Sequence, residues 1–201
     1  MDQFAVWNRI GASFSPTRST AWPLVTAWLE GRPPGRLLDL MGGNGRHGAV
    51  ARALGHDVVV ADWSAPLVGD SCVPAVQADA RCLPFGDGTF ANALYVAGVH
   101  GLPAAADRAR SLHELHRTLQ PGGRCLVTAW SARAPRFAGA TKRDIIVPWR
   151  RDGLDAPRTI HLYDVGDMQE ELEAAGFLVI SSRLAAFTGA DPDNVVAEAV
   201  R

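Results

Sequence analysis

Apolar residues recur at helical spacing over residues 2–13 and again over 20–29, and the Ser15-Pro16-Thr17-Arg18 run separates them. The spacing predicts two N-terminal helices within about residues 1–31. After Pro33-Pro34-Gly35 the pattern changes to short apolar runs. Residues 36–40 read as a buried strand, 46–54 as a helix, and 57–61, centred on Val58-Val59-Val60, as a second strand. A short third strand is expected at 73–77, a fourth at 92–96, a helix at 104–119, and a fifth strand at 124–130 after the Pro121-Gly122-Gly123 turn. Strands alternating with helices predict an α/β domain with a mostly parallel sheet and helices on both faces. Residues 131–161 break the alternation and read as a long irregular insertion. A helix over about 165–175 follows, with Asp164 at its N-cap and Gly176 past its end. Strands at 179–184 and 195–200 then close a seven-stranded sheet as an antiparallel pair.

Composition narrows the classes that remain. The 201 residues, 47% hydrophobic and 20% charged, suit one globular domain spanning 1–201. No run reaches the length of a membrane span, and the N-terminus lacks the pattern of a secretory signal, so a cytoplasmic, membrane-free protein is expected. The three cysteines, Cys72, Cys82 and Cys125, fit neither a disulfide framework nor a zinc motif, and no metal is expected. The formal charge is −1 but unevenly spread. Residues 131–161 carry seven basic side chains (Arg133, Arg136, Lys142, Arg143, Arg150, Arg151, Arg158) and three acidic ones (Asp144, Asp152, Asp155), a local +4 that leaves −5 elsewhere.

The chemistry concentrates after the first strand. Leu37 to Gly45 reads Leu-Leu-Asp-Leu-Met-Gly-Gly-Asn-Gly, which puts Asp39 near a buried strand end and Gly42, Gly43, Asn44 and Gly45 where a backbone approaches a nucleotide-like ligand. Gly43 to Gly48 also satisfies the dinucleotide fingerprint, with Asp62 nineteen residues after Gly43, so the loop alone leaves both ligands open. Asp39 favours S-adenosylmethionine, because a carboxylate there suits its amino group and would repel a pyrophosphate. Asp62, at the end of the second strand, would accept from ribose hydroxyls. Asp79, with Ala80 after it, would reach the adenine from the third strand.

Motifs outside the loop are more specific. Trp7 to Arg18 (with Phe14-Ser15-Pro16-Thr17-Arg18), Trp22-Pro23, Gly43-Asn44-Gly45, Val147-Pro148-Trp149 and His161-Leu162-Tyr163 together resemble the tRNA methyltransferases that esterify 5-carboxymethyluridine at the wobble position. The match covers nearly the whole chain. It departs from the family at Gly42, usually cysteine, at Ala91, commonly aspartate, and at Gly101, often a second histidine. The resemblance implies a Rossmann-like class I methyltransferase using S-adenosylmethionine, with tRNA as substrate. It implies Arg18 and His100 as catalytic residues, and Arg133, Arg136, Trp149 and His161 as substrate contacts. A small zinc-binding activator protein is implied too, and the short apolar segment from Cys72 to Gln77 is the candidate sheet edge for it. A carboxylate acceptor is ionised at neutral pH and needs no general base, and Arg18 would orient it. Two alternatives remain: a methyltransferase acting on a small-molecule or protein carboxylate, and an NAD-dependent enzyme built on the fingerprint.

Overall fold

The computed structural model describes residues 2–187 and 193–201. Two helices come first, α1 (Gln3–Phe14) and α2 (Pro23–Glu30), joined through a tight helical turn at Ser15–Thr17. Then come β1 (Arg36–Leu40), α3 (Arg46–Ala53), β2 (Asp57–Asp62), α4 (Ala65–Gly69), β3 (Ala75–Gln77), β4 (Phe90–Val96), α5 (Ala105–Thr118) and β5 (Leu119–Trp130). The chain continues through β6 (Asp144–Arg151), β7 (Leu154–His161), α6 (Val165–Ala174), β8 (Leu178–Ala185) and β9 (Asn194–Val200).

Seven strands make one sheet in the order β3-β2-β1-β4-β5-β9-β8. β1 through β5 pair in parallel, and β9 runs antiparallel to both β5 and β8. Strand periodicity divides the core in two. Leu38, Leu40, Ala61, Ala93 and Tyr95 pack toward Leu112 and Leu115 of α5 and Met168 and Leu172 of α6. Leu37, Val58, Val60, Leu94 and Val96 pack toward Val25, Trp28 and Leu29 of α2 and Ala51 of α3. Both faces are therefore covered, which is why these strands read as continuous apolar runs.

The expected seven-stranded α/β sheet is observed, and three expectations need correction. The segment 131–161 is not irregular: β6 and β7 form an antiparallel hairpin of their own, from the Asp144–His161 pair to the Arg151–Leu154 pair. Its turn is Asp152-Gly153, with φ of 52° and 73°, the two-residue connection that matches strand twist. Pro148 and Pro157 sit opposite each other in this two-stranded sheet, where each strand is an edge and a missing N–H is tolerated. The third strand is shorter than expected, three residues at the sheet edge, and α4 was not expected at all. β5 begins at Leu119, five residues early, with a register shift opposite Phe90 and Asn92.

The hairpin docks on α1. Gln3 accepts from the Thr159 N–H at 3.0 Å, Val6 and Ile10 pack on Ala156, and the Trp149 indole N–H donates to Ser13 Oγ at 3.0 Å. The N-terminal helix and the basic insertion thus meet as one layer.

Candidate functional site

A cleft opens where β1, β2 and β4 end, the position that open α/β sheets use for ligands. Met41, Gly42, Gly43, Asn44, Arg46 and His47 line it from the glycine loop, Asp62 and Trp63 from β2, and Val96 to Gly98 with His100 from β4. Trp7, Phe14 and Arg18 close it from the N-terminal segment. The loop runs through left-handed backbone at Gly43 (φ 62°) and Gly45 (φ 75°), while Met41 (φ 51°) and Ala97 (φ 54°) adopt the same region without being glycine. Non-glycine residues held there cluster at ligand sites because the surrounding structure must stabilise them.

Asp39 lies behind the loop with no exposed surface. Its Oδ2 accepts the Gly48 N–H at 3.0 Å, whereas its Oδ1 is buried without a partner. Burial pushes its carboxyl up to about 7, against the opposing pull of the Gly48 bond and Arg46. Gly42 explains how this carboxylate fits: a Cβ there would stand 2.5 Å from the Asp39 carboxyl carbon. The missing side chain at Gly42 therefore leaves the room that Asp39 occupies. Asp62 is also buried. It accepts the Gly43 and Ser64 N–H groups at 2.9 Å each, and burial raises it to about 6.

Asn44 has a structural task. Its side-chain amide donates to Ser15 O (3.2 Å), Ser15 Oγ (3.1 Å) and Arg18 O (3.1 Å). Ser15 Oγ in turn donates to Asp70. The turn that carries Arg18 is thereby fastened to the glycine loop. Among the described residues the Arg18 guanidinium bonds only back to Thr17, at 2.9 and 3.0 Å, and it stands 4.3 Å from the Phe14 ring centroid.

His100 is buried against Trp130, with ring centroids 5.2 Å apart, and its Nδ1 accepts the Trp130 N–H at 3.2 Å. Burial first, then the positive charges of Arg158 and Arg136, lower it to about 3. It is neutral at physiological pH, and the accepting Nδ1 assigns its proton to Nε2. With Nδ1 occupied by the Trp130 N–H, Nε2–H is the hydrogen-bonding group His100 has left to offer.

Other expected residues lie outside this cleft. Asp79 is held by Arg81 in a two-pronged pair (Nε–Oδ1 2.9 Å, Nη2–Oδ2 2.7 Å), and Ala80 is in the core. Trp149 packs on Phe14 at 5.1 Å. Arg133 pairs with Asp164, and Arg136 covers the Trp130 ring at 4.3 Å. His161 bonds Asp144 across the hairpin at 2.7 Å. Sequence reading did not single out Arg46, His47 or Trp63 as lining residues, and Trp7 and Phe14 entered only as parts of a motif.

Comparison with known proteins agrees with this geometry. Residues 38–127 match a family described as a methyltransferase domain. A putative methyltransferase of Encephalitozoon cuniculi is 30% identical over 83% of this chain and 82% of its own. A tRNA (carboxymethyluridine(34)-5-O)-methyltransferase of Schizosaccharomyces pombe is 26% identical over 96% and 94%. An enzyme of that name from Mus musculus is 32% identical over 63% of this chain, which spans 19% of the mouse protein. Among solved structures, a Haloferax volcanii putative methyltransferase in complex with the Trm112 methyltransferase activator superposes with a TM-score of 0.70 at 15% identity, covering 99% of this chain and 96% of that one. The chain belongs to the class I S-adenosylmethionine-dependent methyltransferases, and tRNA (carboxymethyluridine(34)-5-O)-methyltransferases are among its relatives.

Proposed function

We propose that this protein methylates the carboxylate of a modified wobble uridine in tRNA. One observation carries the reading: Asn44 ties the donor loop to the turn bearing Arg18, so a site for a cationic donor and a site for an anionic acceptor share one cleft. The residues fit the donor. Asp39 Oδ1 is a buried acceptor without a partner and suits an ammonium group, Asp62 suits ribose hydroxyls, and Gly42 to Gly45 allow close backbone approach. Asp79, beyond the residues that line the cleft, takes the base end with a carboxylate it shares with Arg81.

Bound S-adenosylmethionine supplies a methyl group on a sulfonium centre, displaced in line by an oxygen nucleophile. The protein's part is alignment. Arg18 orients the acceptor carboxylate, which is already ionised and gives up no proton. His100 donates a hydrogen bond from Nε2. Trp7 and Phe14 limit water from the N-terminal side. Arg133, Arg136, Trp149 and His161 form the flank on which the anticodon loop rests, the arginines toward phosphate. The β3 edge, with the exposed Cys72 before it, takes a small zinc-binding activator by strand addition. The relative from Haloferax volcanii, solved with an activator, supports such a partner.

The test is methylation of an anticodon stem-loop carrying 5-carboxymethyluridine, with mass spectrometry of the digested nucleosides. The methyl ester is the expected product. Methylation of a free carboxylic acid in its place, with the RNA untouched, would overturn the tRNA assignment.

A further inference from the structure

Two arginines of the protein are almost fully buried, and they are treated differently. Arg108, 5% exposed, is paired with Glu171 at 3.0 Å and donates to the carbonyls of Leu102 and Pro103. Arg158, on β7 and 6% exposed, has no ion pair or hydrogen bond among the described residues, and its Nε is buried without a partner. Its guanidinium carbon lies 5.4 Å from the ring centroid of Trp149, 5.7 Å from that of Trp7 and 5.9 Å from that of Phe14. Aromatic faces steady a cation, but they do not replace the acceptors that a desolvated guanidinium loses.

The surroundings say what would supply those acceptors. Phe14 lies beside both guanidiniums, Arg18 at 4.3 Å and Arg158 at 5.9 Å. No carboxylate pairs with either among the described residues. Burial and then the positive charge of Arg18 lower Arg158 to about 10, and Trp7 and Phe14, the rings beside the Arg158 guanidinium, line the cleft together with Arg18 and His100. Two positive charges beside one aromatic ring, neither paired among the described residues, call for an anion.

We propose that Arg158 is a second acceptor-binding residue, which with Arg18 forms a two-guanidinium site beside Phe14 for the carboxylate of the methyl acceptor. This rests on the carboxylate-methylation reading above and adds the residue that recognises the charged arm. A backbone phosphate is the other source of an anion. Phosphates run along the outside of RNA and meet exposed arginines such as Arg150 and Arg151, whereas a side chain as deep as Arg158 is reached by a group projecting from a base. Engaging one carboxylate oxygen leaves the other to take the methyl group.

The experiment measures binding, with S-adenosylhomocysteine present so that no transfer occurs. Two anticodon stem-loops are compared, one carrying 5-carboxymethyluridine and the other its uncharged carboxamide. The wild-type protein should prefer the carboxylate RNA by about tenfold or more, the worth of a charge-assisted hydrogen bond. Arg158→Met should lose that preference, bind the carboxamide RNA as the wild type does, and keep its affinity for S-adenosylhomocysteine. Arg158→Lys, which keeps charge without the fork, should fall between them and carries the test if the methionine variant does not fold. Equal weakening for both RNAs would make Arg158 a phosphate contact, and an unchanged preference would make it a packing residue; either overturns the proposal. A wild type that methylates the carboxylate RNA while Arg158→Met keeps the preference overturns the proposal alone. A wild type without any preference overturns the underlying reading as well.

Discussion

Asp39 in the ligand-free protein is buried with one oxygen bonded to Gly48 and the other to nothing, and its pH behaviour follows. Its folded value, about 7, lies above the ordinary 3.8, so between these the folded chain holds a proton that the unfolded chain releases. The contribution of Asp39 to stability is then fullest below about pH 4 and declines as pH rises toward 7, by up to ~4 kcal/mol for a shift of this size. Asp39→Asn should remove the decline. Urea denaturation of the ligand-free variant should show it more stable than wild type at pH 8 and little different at pH 4. Donor binding should run the other way, tightening as pH rises through about 6 to 7, because Asp62 and Asp39 must be ionised to meet a cationic ligand. The two halves of the cleft should also separate by mutation. Asp62→Ala should weaken donor binding by about tenfold or more in calorimetric titration. Arg18→Ala should lower kcat/KM by a similar factor or more and leave donor affinity intact.

The β6–β7 hairpin carries the consequence at the level of elements. It brings Trp149 against Phe14 and Arg158 under Trp7, so the proposed acceptor end of the cleft depends on the hairpin's docking on α1. Trp149→Ala removes a large ring and the indole bond to Ser13, and should cost ~2–3 kcal/mol. Hydrogen exchange should show the loss as faster opening of residues 144–161, with the seven-stranded sheet protected as before. Donor binding should survive, since the glycine loop is fastened by Asn44 to Ser15 and Arg18 and not to the hairpin.

For the whole molecule, the proposed tRNA contact rests on charge placement: the protein is net −1, and residues 131–161 carry +4, with Arg150 and Arg151 exposed. Among the described residues Arg150 and Arg151 pair with the exposed Asp155 and Asp152, contacts of small worth that a phosphate displaces readily. Association with tRNA should therefore weaken steeply with salt. Replacing both arginines by glutamine should flatten the log–log slope by roughly two, as measured by filter binding across a salt series. A small acceptor would show neither effect.

The sequence alone determined the seven strands, the glycine loop and the carboxylates at the β1 and β2 ends, because each rests on local periodicity or on residues near one another in the chain. It also determined the capped start of α6, where the Asp164 N–H bonds Asp167. The hairpin escaped it: Pro148 and Pro157 look like strand breakers until they are seen paired in a two-stranded ribbon. Arg158 escaped it too, one of seven basic residues in a run. Whether an arginine is a solvated charge or a buried, unpaired one depends on what the fold places around it. Here that is Trp7 and Phe14, about 150 residues away along the chain, and only tertiary packing made them neighbours.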